Sequence, residues 1–238
     1  MEKLLEENSI THHRISAVNG ADQLELDSVC IRDGTFKNST FEFALTCSYL
    51  KAMRYFVDHL PNEKRIIMFE DDTTFEFSEF ISYDWSEFES NLPSDYETIQ
   101  LCINVGLGKQ PDLHLKRKYP QNPNGSLTYR DEVHWSSGAT LITKTCAEKL
   151  LAKYYRENGK FDLTRPNITS YIVSDAIIYQ NKCYRIPLFT YLDIESIIQN
   201  KPAKTHITSK NSQIKLWKAF SERAFDPKEY FGKFEKYQ

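Results

Sequence analysis

The stretch RIIMFEDDTTF, residues 65–75, constrains the chain more than any other. Four apolar residues, Ile66 to Phe69, run without alternation and stop at three acids, Glu70, Asp71 and Asp72. An unbroken apolar run predicts a central strand covered on both faces, as in a parallel sheet. The acids then fall at the carboxyl end of a strand, where open α/β sheets bind ligands. Along an extended chain Glu70 and Asp72 point one way and Asp71 the other, with the first two about 6–7 Å apart at their backbones. Two carboxylates so placed can converge on a hard divalent cation, Mg2+ or Mn2+, which prefers oxygen ligands. Without a cation they would repel, and each would resist ionisation. The competing reading is a solvated strand end at which Asp71 and Asp72 begin a turn.

The rest of the chain alternates strand and helix patterns. HRISAV (13–18) alternates and predicts a strand closed by a turn at Asn19-Gly20. From 41 to 60 the apolar positions Phe43, Cys47, Leu50, Val57 and Leu60 keep helical spacing, and Pro61-Asn62 stops the helix. ETIQLCI (97–103) reads as a second buried strand, followed by a long Gly-, Pro- and Asn-containing loop over 104–126. GATLI (138–142) reads as a short strand. Thr145 with Glu148 predicts a capping box for a helix through Tyr155 that Gly159 ends. A helix is expected over 171–179, and residues 184–187 lead into an edge strand. Ile214, Trp217 and Phe220 share a face, so 205–238 is expected to be a docking helix and tail. The whole, residues 1–238, reads as one α/β domain with a mostly parallel central sheet flanked by helices.

Charge and cysteine usage narrow the class. Thirty Lys+Arg against 33 Asp+Glu give a net charge of -3, which argues against a nucleic-acid binder with a broad basic face. No apolar run approaches the roughly 20 residues of a membrane span. The start, MEKLLEENS, does not read as a secretory signal, so a cytoplasmic protein is expected, of a bacterium or a virus-infected host cell. Five scattered cysteines with no CxxC pair read as free thiols in a reducing compartment. Cys47 and Cys102 are expected in the core.

The segment FEFALTCSYLKAMRYFVDHLPNEKRIIMFEDDTTF resembles glycosyltransferase family 25, the lipopolysaccharide and procollagen galactosyltransferase group. Ser48, Leu50 and Ala52 fit that family's helix, G-C-A-L-S-H-L-x-A, and Phe69-Glu70-Asp71-Asp72 fits its strand ending L-E-D-D-V. RISAVNGAD, HWSSGATLITKTCAEKLL and SDAIIYQNKCYRIPLF resemble further elements in family order, over roughly residues 10–198. Ala44 and Tyr49 depart from the family's Gly and His. The family's opening strand, I-N-L-D-R-R, has no counterpart in the pattern.

The resemblance implies a single GT-A (Rossmann-like) domain that moves a hexose, galactose or glucose, from a UDP-sugar to a hydroxyl of a glycan or protein acceptor with inversion. On that reading Glu70 and Asp72 hold Mn2+ or Mg2+, with His206 a further ligand or else a surface histidine. Asp175 is the expected general base, or else a helix cap. Glu132, next to Asp131, competes for the base. Trp135, Ser137, Gly138 and Asp71 are the expected substrate contacts. The alternatives are a metal-dependent phosphodiesterase, disfavoured by the lack of a second acidic cluster, and a non-catalytic binding protein of the same fold without the first nucleotide-binding strand.

Overall fold

The computed structural model describes residues 1–33, 38–81, 84–90, 92–102, 128–129, 136–164, 174–192, 210–211 and 214. They divide into two compact units, interleaved in sequence: residues 1–68 with 141–181, and 69–140 with 182–238. Helices and sheets are mixed in sequence, so the chain is an α/β protein.

The first unit is built on a long helix. After α1 (Glu2–Glu7) and α2 (Gln23–Val29) comes α3 (Thr40–His59); α4 (Trp85–Ser90) belongs to the second unit. Ser39 and Glu42 form a capping box: the Ser39 side chain accepts from the Glu42 amide, and the Glu42 carboxylate takes the Ser39 amide at 2.7 Å. Phe43, Cys47, Leu50, Met53 and Phe56 line its buried face at helical spacing. That face packs on α2, on α5 (Lys144–Tyr154) and on α6 (Ser174–Ile178). A two-stranded parallel ladder joins β1 (Cys30–Ile31) to Phe161–Asp162.

Residues 13–18 are not a strand. Their backbone is held by α3 instead: Val18 N–H donates to Ser48 Oγ at 2.9 Å, and Lys51 Nζ donates to the Ser16 carbonyl. Side chains of a helix thus supply partners that a neighbouring strand would have supplied. The turn at Asn19-Gly20 is present, and Ala21 N–H donates to Asn19 Oδ1. At Gly20 an added Cβ would lie 2.7 Å from the Phe41 Cα, so only glycine allows the turn to lie against the start of α3. The cap of α5 also differs from expectation. Thr143, not Thr145, is the N-cap and accepts from Cys146 N–H, because the strand runs directly into the helix. That helix ends at Tyr154, and Gly159, at φ 82°, serves a turn after it.

The larger sheet has six strands in the order β2 (Arg65–Phe69), β6 (Ala139–Thr143), β4 (Thr98–Cys102), β8 (Cys183–Tyr191), β3 (Thr73–Thr74), with β5 (Thr128–Tyr129) on β8; β7 is the Phe161–Asp162 strand of the small sheet. The boundary between the two units passes through β2 and β6. β4 is buried at all five positions, the polar Thr98 and Gln100 included, as expected of a strand covered on both faces.

Three expectations are corrected. β2 ends the strand order and is largely half-buried, because an apolar run reports covered faces but not how many edges are paired. β8 is not an edge strand: it lies between β4 and β3. Pro187, which has no N–H to give, is accommodated by an irregular register, Gln100 opposite Arg185 and Cys102 opposite Phe189. The sheet is mixed, since β8 is parallel to β4 but antiparallel to β3 and β5. All five cysteines are buried and none is in a disulfide. In the expected tail helix Ile214 is helical, as are Lys210 and Asn211, while Trp217 and Phe220 lie outside the described residues.

The core of the first unit depends on α3. Phe56→Ala, at a fully buried site, should cost about 3–5 kcal/mol. Leu24→Ala, at a site 82% exposed, should stay within about 0.5 kcal/mol. Urea unfolding of the two variants measures both.

Candidate functional site

The acids at 70–72 end β2 in a tight turn, with Thr73 N–H donating to the Glu70 carbonyl at 3.3 Å. The extended alternation stops there, so the three side chains meet different surroundings. Asp71 is exposed, while Glu70 and Asp72 are half-buried. The turn is clamped at both ends. Phe69 and Phe75 meet at 5.7 Å between ring centroids, and each packs on Phe189 of β8, at 5.1 and 5.0 Å. The Asp72 carbonyl accepts from Leu192 N–H at 2.7 Å, continuing the β3–β8 ladder in which Thr73 faces Tyr191.

The segment Ser136-Ser137-Gly138 is hydrogen-bonded to this turn. The Gly138 carbonyl accepts both Glu70 N–H at 2.8 Å and Thr73 Oγ1 at 2.7 Å. Ser137 Oγ donates to Glu70 Oε1 at 2.7 Å and so orients that carboxylate. Beneath it, Tyr191 shares a 2.5 Å hydrogen bond with Ser136 Oγ, and Gly138 N–H points at both oxygens at 3.3 Å. Gln100, in the middle of β4, donates to the Ser136 carbonyl at 2.8 Å. Ser136 has φ 117°, a backbone region normally left to glycine, which the surrounding hydrogen bonds must hold in place. A Cβ on Gly138 would meet the Tyr191 ring and hydroxyl at 2.8–2.9 Å.

Burial decides the electrostatics. Asp72 Oδ1 is buried with no hydrogen-bond partner among the described residues. Burial, with the Asp71 charge beside it, pushes the Asp72 carboxyl up to about 6, against the opposing effect of its own backbone amide. Burial also holds the Cys102 thiol well above its usual range, with Glu70 and Asp72 adding to the effect, so it stays protonated and is no nucleophile. The Tyr191 phenol is raised for the same first reason and remains a neutral hydroxyl. An orphaned buried carboxylate oxygen beside a second carboxylate is a fit place for a hard cation, whose charge would offset the desolvation and repulsion.

Of the other expected residues, Asp175 lies in the first turn of α6, in the first unit, and is 6% exposed. Ser174 Oγ lies 3.5 Å from its Oδ1. Glu132, Trp135 and His206 lie outside the described residues, as does the loop over 104–126. Among the described residues, one group of three metal-ligating side chains converges within 4.8 Å, and it is Glu2, Glu6 and His12 on the surface, not the 70–72 acids. The sequence singled out Trp135-Ser136-Ser137-Gly138 as a pocket-lining segment, of which Ser137 and Gly138 bond the acidic turn and Ser136 bonds Tyr191, but it gave no sign of Thr73 and Tyr191. An alternating strand end gives no signal that its last tyrosine turns a hydroxyl toward a distant loop. No helix among the described residues is long and apolar enough to cross a membrane. Comparison with protein-family models and with curated proteins found no match to this chain.

The raised Asp72 carboxyl gives a pH prediction. A folded value of about 6 against 3.8 means the folded state keeps a proton that the unfolded state has released. Its contribution is therefore full below about pH 4 and is lost as pH rises through 6. In EDTA, Asp72→Asn should stabilise the protein by on the order of 2–3 kcal/mol at pH 7.5 and by nothing near pH 4. Urea titrations at the two pH values read the difference.

Proposed function

We propose that the protein is a metal-dependent inverting glycosyltransferase that moves a hexose from a UDP-sugar to a hydroxyl of a glycan or protein, in a GT-A-type domain. The observation that carries this reading is the buried, unpartnered Asp72 oxygen. It lies at the carboxyl end of a strand, two residues after Glu70, whose carboxylate accepts from Ser137 Oγ. The resemblance of this same stretch to family 25 transferases motivates the choice of donor and reaction.

Glu70 and Asp72 would hold the cation, Mn2+ or Mg2+. When bound it would supply positive charge for the negative charge that grows on a departing diphosphate. The protein's own residues do the rest. Ser137 fixes the Glu70 carboxylate, Gly138 fixes the turn that carries both acids, and Phe69 and Phe75, on either side of the turn, pack on Phe189. The acceptor hydroxyl must lose a proton as it attacks, and Asp175 is the carboxylate assigned to take it.

The burial of Asp175 favours a second reading, a non-catalytic binding protein of the same fold. The two readings differ in turnover. With Mn2+, a UDP-sugar should raise the melting temperature by mass action, and Asp72→Ala should abolish the shift. Asp175→Asn should keep the shift while release of UDP in the presence of acceptor falls by about 100-fold or more. A shift that survives Asp72→Ala removes Asp72 from the site. A wild-type shift with no UDP release for any acceptor selects the binding protein.

A further inference from the structure

We propose that Tyr191 is a positioning residue that sets the orientation of the Glu70 carboxylate through the Ser136-Ser137-Gly138 segment; this rests on the reading of Glu70 and Asp72 as cation ligands.

Three observations converge on it. Tyr191 is buried in β8, and its hydroxyl meets Ser136 Oγ at 2.5 Å. Ser136 is the residue at φ 117°, so this hydrogen bond helps keep a backbone that a serine would otherwise leave. Gly138 lies so close to the Tyr191 ring that no Cβ fits between them. Ser137 therefore sits between two neighbours whose places Tyr191 fixes. Its hydroxyl is the donor to Glu70 Oε1, while the Gly138 carbonyl takes the Glu70 amide. The same tyrosine also pairs with Thr73 across the β3–β8 ladder, on the far side of the acidic turn. One side chain thus braces both the serine that aims the first acid and, by its backbone, the strand that leaves the second.

The geometry predicts a coupling that loss of stability alone would not produce. Tyr191→Phe keeps the ring against Gly138 and removes only the hydroxyl. Ser137→Ala removes the partner one step behind Glu70 and should weaken Mn2+ binding by about tenfold. Tyr191→Phe, one link further back, should weaken it by about threefold to tenfold. If Tyr191 acts through Ser137, adding Tyr191→Phe to Ser137→Ala should cost little more, because the link is already cut. Titration of the full chain with Mn2+, following free ion by electron paramagnetic resonance, gives the four affinities, with near-ultraviolet circular dichroism as the check on folding. Ser136→Ala removes the same hydrogen bond from the other side and decides the matter if Tyr191→Phe does not fold. Losses that overlap support the proposal. An unchanged affinity in Tyr191→Phe, or losses that add in full, overturns the positioning role and leaves the cation site standing. A wild-type chain that binds no Mn2+ overturns both the cation reading and this inference.

Discussion

The acidic turn depends on one close approach, that of Gly138 to Tyr191. With nothing on its α-carbon, Gly138 lies against the phenol, and its carbonyl can then take two donors, the Glu70 amide and the Thr73 hydroxyl. Those two bonds span the turn that holds Asp71 and Asp72. Any side chain at 138 would push the segment from the tyrosine or the tyrosine from β8. Around that contact Ser136 is held in an unusual backbone region and Ser137 faces an acid, while Phe69, Phe75 and Phe189 pack together at the ends of the turn.

Asp72 shows why the acids need not be a simple solvated strand end. A turn is present, as that reading required, yet the carboxylate of Asp72 is drawn inward and left with an oxygen that no donor reaches. Burial without compensation is unfavourable for a charge. A protein that retains such a group bears the cost in its folded state, and that fits a carboxylate whose partner is not part of the chain.

Much of the scaffold was legible in the sequence because it rests on periodicity. The three- and four-residue steps at Phe43, Cys47 and Leu50 gave α3, although its buried face continues through Met53 and Phe56 while Val57 and Leu60 are half-buried; Ile99, Leu101 and Cys102 gave β4. What the sequence concealed was partnership. HRISAV alternates like a strand, but its amides and carbonyls are met by Ser48 and Lys51 of a helix. RIIMF looks central yet ends the strand order, and CYRIPLFTY looks peripheral because of its proline yet lies inside the sheet. At the site, Glu70, Asp72, Ser137 and Gly138 were visible as a run of acids and a small-residue strand start. Tyr191 was not, since its role comes from a hydroxyl meeting residues more than fifty positions earlier in the chain.

The irregular register around Pro187 governs which way that hydroxyl faces. Between Gln100 and Cys102 on one strand, β8 advances from Arg185 to Phe189, an excess of two residues. Side chains alternate sides with a period of two, so an even excess absorbs the proline without exchanging the sheet's two faces. Phe189 and Tyr191 thereby keep the parity that the first half of the strand established. An odd excess would turn both rings to the opposite side of the sheet.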